Sequence, residues 1–212
     1  MILLFINFFL YIQSFLAMDV LVEAKPISPV IEKAMSPVDV IYSHLDHCIN
    51  QSVFQEAYAG VQKFNPQAEY LAIADLSQGS EQQRFYIIDL NKKEIVLQTW
   101  VAHGKNSGDN YAHKFSNTMS SHMSSKGFLM IGETFESPKH GTSFALEGLQ
   151  KGINDRARDR EIIMHGADYV SEAFIEANGR CGRSYGCPAL PREEMKKALE
   201  ILTPGSILYI HS

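Results

Sequence analysis

Three β-rich runs follow one another with nothing helical between them: Tyr70–Asp75 (YLAIAD), Arg84–Leu90 (RFYIIDL) and Glu94–Val101 (EIVLQTWV). Branched and aromatic side chains favour a pleated, half-buried backbone, and Asn91-Lys92-Lys93 suits a tight hairpin between the second and third runs. Strands joined this closely must pair antiparallel, because a parallel pair needs a crossover of a dozen or more residues. The sequence therefore predicts a mainly β domain with peripheral helices, not a doubly wound α/β sheet. Gly127–Gly132 (GFLMIG), Ser143–Leu149 (SFALEGL), Ile162-Ile163-Met164 and Ser206–Ile210 (SILYI) are further strand candidates.

Apart from a short amphipathic segment after His165-Gly166, helical periodicity lies towards the two ends. Val38, Ile41, Tyr42, Leu45 and Ile49 form a helical stripe over 38–50. Ser52-x-x-Gln55 is a capping-box pattern, and Val53, Phe54, Ala57, Tyr58, Val61 and Phe64 then share one face until Asn65-Pro66. Arg192–Leu202 (REEMKKALEIL) reads as a helix with Glu193 and Glu194 complementing the dipole of its first turn, broken by Pro204-Gly205.

At 212 residues the chain has room for one substantial domain with an N-terminal extension. A formal charge of −5 gives no reason to expect nucleic acid as a partner. Met1–Met18 is apolar and uncharged, so it competes as a secretory signal and as a membrane anchor. Val22-Glu23-Ala24 offers small residues for cleavage, and export to the periplasm or cell envelope is the reading carried forward. Any membrane contact would run through this segment if it stays uncleaved. The expected layout is a leader over 1–24, a proline-bearing linker and two helices over 25–66, and the catalytic domain over 67–212.

The chemistry concentrates between Ile162 and Leu190. A strand-like run delivers His165-Gly166, and the chain turns through Gly182-Arg183-Ser184-Tyr185-Gly186 into Cys187-Pro188. A thiol on a glycine-rich turn, with an imidazole 22 residues upstream, suggests an activated cysteine nucleophile. A purely structural Cys and His is the plainer alternative. A zinc site built on His165, Cys181 and Cys187 is a third, although their spacing lacks a close C-x₂-C pair. With Cys48 there are three cysteines, and either Cys48–Cys181 or a reversible Cys181–Cys187 disulfide is compatible with the sequence. The polar stretch Asp109–Lys126 is a mobile surface loop, or else His122 and its serines line a substrate groove. Asn154–Arg160 (NDRARDR) reads as a solvated, ion-paired turn, with the alternative that its arginines meet a carboxylate.

H-G followed by S-x-G-C resembles the signature of the YkuD-type L,D-transpeptidases. VAHGKNSG, FSN, SSHMSSKGF, GLQKGINDRARDR, HGADYVSE and GRSYGCPAL resemble one branch, the murein L,D-transpeptidase catalytic-domain family, over roughly Tyr70 to Ile210. The resemblance implies a β-sandwich-like fold that needs no cofactor or metal and acts on peptidoglycan stem peptides. It implies Cys187 as nucleophile, His165 as base and the Gly166 carbonyl as the group orienting the imidazole. Ser184 and Gly186 match the small positions of the turn, and the N–H groups of Tyr185, Gly186 and Cys187 are the oxyanion-hole candidates. Arg183 would steady a carboxylate or the thiolate, and His103, His122 and His140 are candidate substrate contacts without a catalytic role. Tyr185 stands where the common pattern has His, and Ala189 where it has Asn or Arg. L,D-carboxypeptidase activity alone, a zinc-dependent hydrolase and a non-catalytic peptidoglycan-binding domain are the rival functions.

Overall fold

The three opening runs form the expected meander. β1 (Tyr70–Asp75) pairs antiparallel with β2 (Phe85–Asp89), and β2 with β3 (Glu94–Thr99). At the hairpin the Asp89 carboxylate accepts the N–H groups of Asn91 and Lys92, an Asx turn that competes with further strand. The computed structural model describes residues 35–45 and 48–212. The leader and most of the linker expected before Met35 lie outside the described residues.

The remaining strands are β4 (Gly127–Ser137), β5 (Gly141–Gly148), β6 (Ile163–Gly166), β7 (Ala189–Leu190) and β8 (Ile207–His211). All eight belong to one sheet in the order β3-β2-β1-β8-β4-β5-β6-β7. The C-terminal strand β8 inserts at its centre, parallel to β1 and antiparallel to β4. β4 runs five residues past its expected end, and its register against β5 shifts between Ile131 and Thr134. Such an irregularity bends a strand, and the sheet curls into a near-barrel. The fold is mostly β with a few short helices, as expected.

Alternation sorts the core onto two faces. Leu71, Ile73, Tyr86, Ile88, Ile207 and Tyr209 face one way. Ala72, Ala74, Phe85, Ile87, Leu208 and Ile210 face the other, towards the interior shared with Leu129, Phe144 and Met164. This is the period-two signature of a sheet covered on both sides.

The first face is covered by α1 (Pro37–Tyr42) and α2 (Gln51–Phe64). α1 is shorter than its stripe suggested: it ends at Ser43, and Leu45 and Ile49 reach the core from irregular backbone. The cap of α2 is Asn50, whose side chain accepts the Ser52 N–H, so Ser52 lies inside the helix rather than capping it. Val53, Phe54, Ala57 and Val61 are buried as predicted, each large side chain contributing about 1.5–3 kcal/mol. Gly60 lets the helix lie close on the sheet, since a Cβ there would meet the Phe128 ring at 1.9 Å. Both helices belong to the same compact unit as the sheet, Met35–Ser212.

α3 (Glu172–Asn178) is capped by Ser171 and closed by Gly179 in the left-handed region. α4 (Arg192–Ile201) buries Met195 and Ala198 against the interior, and Glu193–Lys196 and Glu194–Lys197 pairs lie on its solvent side. Among the described residues no helix is long and apolar enough to cross a membrane.

Candidate active site

β6 ends in His165-Gly166, and β7 runs parallel beside it in the register His165–Ala189 and Gly166–Leu190. Cys187 therefore lies two residues before the position that pairs with His165. The other side of the turn is held by the segment after β3. The Ser184 N–H donates to His103 O at 2.9 Å, and the Lys105 N–H donates to Ser184 O at 2.8 Å. Ala102 bridges to Ala189. One hydroxyl closes the turn from inside: Ser184 Oγ donates to Cys187 O at 2.6 Å and accepts the Gly186 N–H at 3.0 Å. Gly186 has φ +125°, and a Cβ there would come within 2.8 Å of Met123 O. Backbone in that region strains every other residue type.

Cys187 is half-buried, and its thiol donates to Glu161 O at 3.7 Å. Burial pushes its pKa up; the Ile163 N–H and the Arg160 guanidinium oppose that rise. His165 is buried, and its Nδ1 lies 3.0 Å from Gly166 O. A carbonyl can only accept, so Nδ1 carries the proton and Nε2 is left as the basic nitrogen. Burial, partly offset by that hydrogen bond, pulls the imidazole pKa down to about 4. The ring is thus neutral near pH 7. Among the described residues the thiol's hydrogen bond goes to Glu161 rather than to His165, a looseness common before substrate binds.

Cys187 opens into a cavity of about 570 Å³ bordered by Tyr185, His140, Arg158, Arg160 and Glu161. A neighbouring depression of about 320 Å³ is lined by Ser120, Ser121 and His122 and shares Tyr185, Arg160 and Glu161. His140 lies against His165, with ring centroids 3.8 Å apart and planes tilted by 34°. Burial, Lys139 and Arg192 all lower the His140 pKa. His122 stacks on Tyr185 at 4.5 Å. Both histidines thus border the groove, as a substrate contact must.

Four sequence expectations turn out differently. His103 does not reach the groove: it is buried, with Nδ1 accepting from Arg84 at 2.9 Å and Nε2 facing Gly108 O at 3.4 Å. Arg183 does not face the thiol's cavity; it donates to Gly108 O and pairs with Asp109 at 3.1 Å, beside Arg180. The Gly186 N–H is taken by Ser184, which leaves Tyr185 and Cys187 as the oxyanion-hole candidates. Neither disulfide considered for Cys181 is formed. Its thiol is buried and donates to Ser80 O at 3.0 Å.

The charge run 154–160 differs most from its reading. Every third residue points inward: Asn154 and Ala157 are fully buried and Arg160 is half-buried, while Asp155, Arg156, Arg158 and Asp159 remain outside. Asn154 donates to Lys126 O and Phe128 O, and Arg160 reaches the loop beside the thiol. That three-residue period was the available signal; the density of charge concealed it. The expected ion pair survives as Arg156–Asp159 at 3.9 Å. The Asp109–Lys126 stretch is pinned as well, through Ser124 N–H to Ser107 Oγ, Gly104 N–H to Ser124 Oγ and Asn106 to Ser121 O.

Fold and site together define a mainly β domain that presents one thiol at a cationic groove, with a buried, fixed-tautomer imidazole on the adjacent strand. The chain belongs to the L,D-transpeptidase catalytic domain family, whose model matches residues 45–211. Similar solved structures include an L,D-transpeptidase from Mycobacterium smegmatis, at 13% identity, 68% of this chain, 59% of that chain and a TM-score of 0.44. Another is an L,D-transpeptidase (Yku) from Stackebrandtia nassauensis, at 17% identity, 76% and 65% coverage and a TM-score of 0.42. A third, Bd1075 from Bdellovibrio bacteriovorus, gives 18% identity, 68% and 48% coverage and a TM-score of 0.42. The chain spans less than two thirds of the length of these structures. No curated protein matches the sequence.

Proposed function

We propose that the domain is a peptidoglycan L,D-transpeptidase with Cys187 as nucleophile. The observation that carries this reading is the placement of the thiol at an open groove, in the turn entering the strand that pairs beside an imidazole whose proton is fixed on Nδ1 by Gly166. In the forward step Cys187 Sγ attacks the carbonyl carbon of the bond before the terminal D-Ala of a tetrapeptide stem. The thiol proton passes to His165 Nε2 and then to the leaving amine as the C–N bond breaks, leaving a thioester. The amine of a second stem attacks the thioester, the thiol re-forms, and a 3→3 cross-link results; water in that role gives carboxypeptidase activity. The N–H groups of Tyr185 and Cys187 face the developing oxyanion, the kind of donor that is worth about 3–4 kcal/mol.

The groove's rim supports a carboxylate-rich substrate. Arg158, Arg160, Lys105 and Lys139 surround Tyr185 and the cavity although the whole chain is acidic. A cell-wall substrate also places the domain outside the cytoplasm, consistent with the apolar Met1–Met18 run.

D-Ala release from purified stem tetrapeptide, with intact-mass detection of an acyl adduct mapped to Cys187, tests the proposal. A carbapenem is expected to acylate the same residue. An adduct on Cys181, or turnover without any adduct, would refute it. The zinc-hydrolase reading requires ligands to converge, and among the described residues no three His, Cys, Asp or Glu side chains do so. Chelator-insensitive D-Ala release is the matching biochemical expectation.

A further inference from the structure

The groove poses an electrostatic problem that His165 does not solve. The thiol pKa is raised by burial, and the imidazole beside it is neutral at working pH because its own pKa has fallen to about 4. A preformed thiolate–imidazolium pair therefore has no source of charge in His165. A permanent cation must come from elsewhere.

Arg160 meets that requirement by position. Its Nη2 lies 3.5 Å from where a Gly186 Cβ would be, directly behind the turn that bears the sulfur. It borders the same cavity as Cys187. The side chain is held by four acceptors: Ser116 O, Ser125 Oγ at 2.9 Å, Ser121 Oγ at 3.2 Å and Met123 O at 2.7 Å. All four belong to the serine-rich loop, and none is a carboxylate. The guanidinium is thus fixed in place without its charge being cancelled. A planar guanidinium with five donors can engage several acceptors of one loop at once.

We infer that Arg160 is a positioning residue for the reaction. It locks the Ser116–Ser125 loop behind the turn and supplies the fixed positive charge on which Cys187 ionises. The inference rests on the reading of Cys187 as nucleophile. The other charged or titratable groups around the sulfur do not duplicate the role. Glu161 opposes ionisation, burial raises the Tyr169 pKa, and His140 has a lowered pKa like His165. Arg158 and Lys139 are exposed on the rim, where water and salt screen them, and Lys105 is directed at the face of the Tyr185 ring, 4.2 Å from its centroid. An opposite charge within about 4–6 Å shifts an ionisable group by roughly 1–3 pKa units.

The test uses iodoacetamide, which needs no peptidoglycan, so it reads the thiol whatever becomes of the transpeptidase assignment. Full-length parent, R160Q and R160K are alkylated across pH 5 to 10, and modification is mapped to the Cys187 peptide so that Cys48 does not contribute. In R160Q the midpoint of alkylation should rise by about one unit or more, slowing the reaction at pH 7 about tenfold. In R160K, which keeps the charge, the midpoint should stay within about half a unit of the parent. Superimposable R160Q and parent profiles in folded protein overturn the inference, and so does a midpoint in R160K displaced upward by a full unit. The second outcome remains readable if R160Q does not fold. Loss of D-Ala release with an unchanged alkylation profile assigns Arg160 to substrate or loop alone, and also overturns it.

Discussion

The chain holds two groupings of one cysteine, one histidine and one arginine, built on the same turn-bearing segment: Cys181 with His103 and Arg84, and Cys187 with His165 and Arg160. In the first, every polar atom is used up. Arg84 is fully buried and donates to Val101 O, Gln78 O and His103 Nδ1. His103 spends both nitrogens, and Cys181 donates to Ser80 O. Burial pushes the Cys181 thiol to about 11 and Arg84 down to about 10. In the second, one valence at each group stays open: among the described residues His165 Nε2 has no hydrogen-bond partner, and Cys187 faces a cavity. Identical residue types make a structural brace in one place and, on the proposed function, a reactive site in the other. What differs is which atoms are left without a partner and whether a substrate can reach them.

Cys187→Ala against Cys181→Ala should break the comparison most widely. Removing the Cys187 sulfur should abolish D-Ala release, a loss of more than about a thousandfold, because no neighbouring group can carry the thioester. Cys181→Ala should leave turnover within about threefold and instead lower Tm, as a buried donor to Ser80 O disappears at about 1–2 kcal/mol. Parallel assays of D-Ala release and thermal unfolding decide the matter. Substantial turnover in Cys187→Ala, or its loss in folded Cys181→Ala, would exchange the roles of the two groupings.

The imidazoles should separate less far. His165→Gln removes the basic nitrogen and is expected to cost about a hundredfold or more in kcat/KM. His103→Gln should spare kcat/KM within several-fold but lower stability, since Arg84 Nη2 loses an acceptor in a buried setting at about 1–3 kcal/mol. A His103→Gln variant that stays fully stable yet loses turnover would place His103 at the reaction after all.

How far these groupings could be read from the sequence depends on the range of the signal. β1 to β3, α2, α4 and the turn from Ser184 to Cys187 were legible because each is announced by neighbours in the chain. The insertion of β8 beside β1 was not, since a parallel contact between Leu71 and Ile207 leaves no local pattern. The true length of β4 was hidden by the register shift after Ile131, which interrupts strict alternation. His103 looked like a groove residue because a histidine in a glycine-bearing turn reads as exposed; only the buried Arg84 side chain, 19 residues back, shows otherwise. Within the charge run, the inward spacing of Asn154, Ala157 and Arg160 is the signal that separates Arg160 from its solvated neighbours.

Both imidazoles share one property, and pH should expose it. His103 and His165 each titrate near 4 in the folded protein instead of the usual 6.5. Between those values the unfolded chain takes up a proton at each site that the folded chain refuses. Stability is therefore fully present above about pH 6.5 and is lost as pH falls towards 4, by up to about 3 kcal/mol per imidazole. Urea unfolding at pH 7 and pH 4.5 should show this, and His103→Gln and His165→Gln should each flatten the slope by a similar amount. An unchanged slope in either variant removes that imidazole from the buried, neutral class.

The smallest effect is expected at Tyr185, which borders both depressions and occupies the place of the common pattern's histidine. Its side chain is 61% exposed. No hydrogen bond to its hydroxyl is formed among the described residues; the ring works through its faces. His122 stacks on it at 4.5 Å and 23°, Lys105 Nζ lies 4.2 Å from its centroid and Lys139 Nζ 5.7 Å. Cation–π contacts at exposed sites are worth about 0.5–1 kcal/mol, enough to order the rim but not to carry a chemical step. Tyr185→Phe keeps the ring and should change kcat/KM by less than about threefold, while Tyr185→Ala frees His122 and both lysines and should cost about tenfold, mainly through KM. If Tyr185→Phe fell as far as Tyr185→Ala, the hydroxyl would be the working atom, and the tyrosine would be replacing the histidine chemically rather than as a stacking surface.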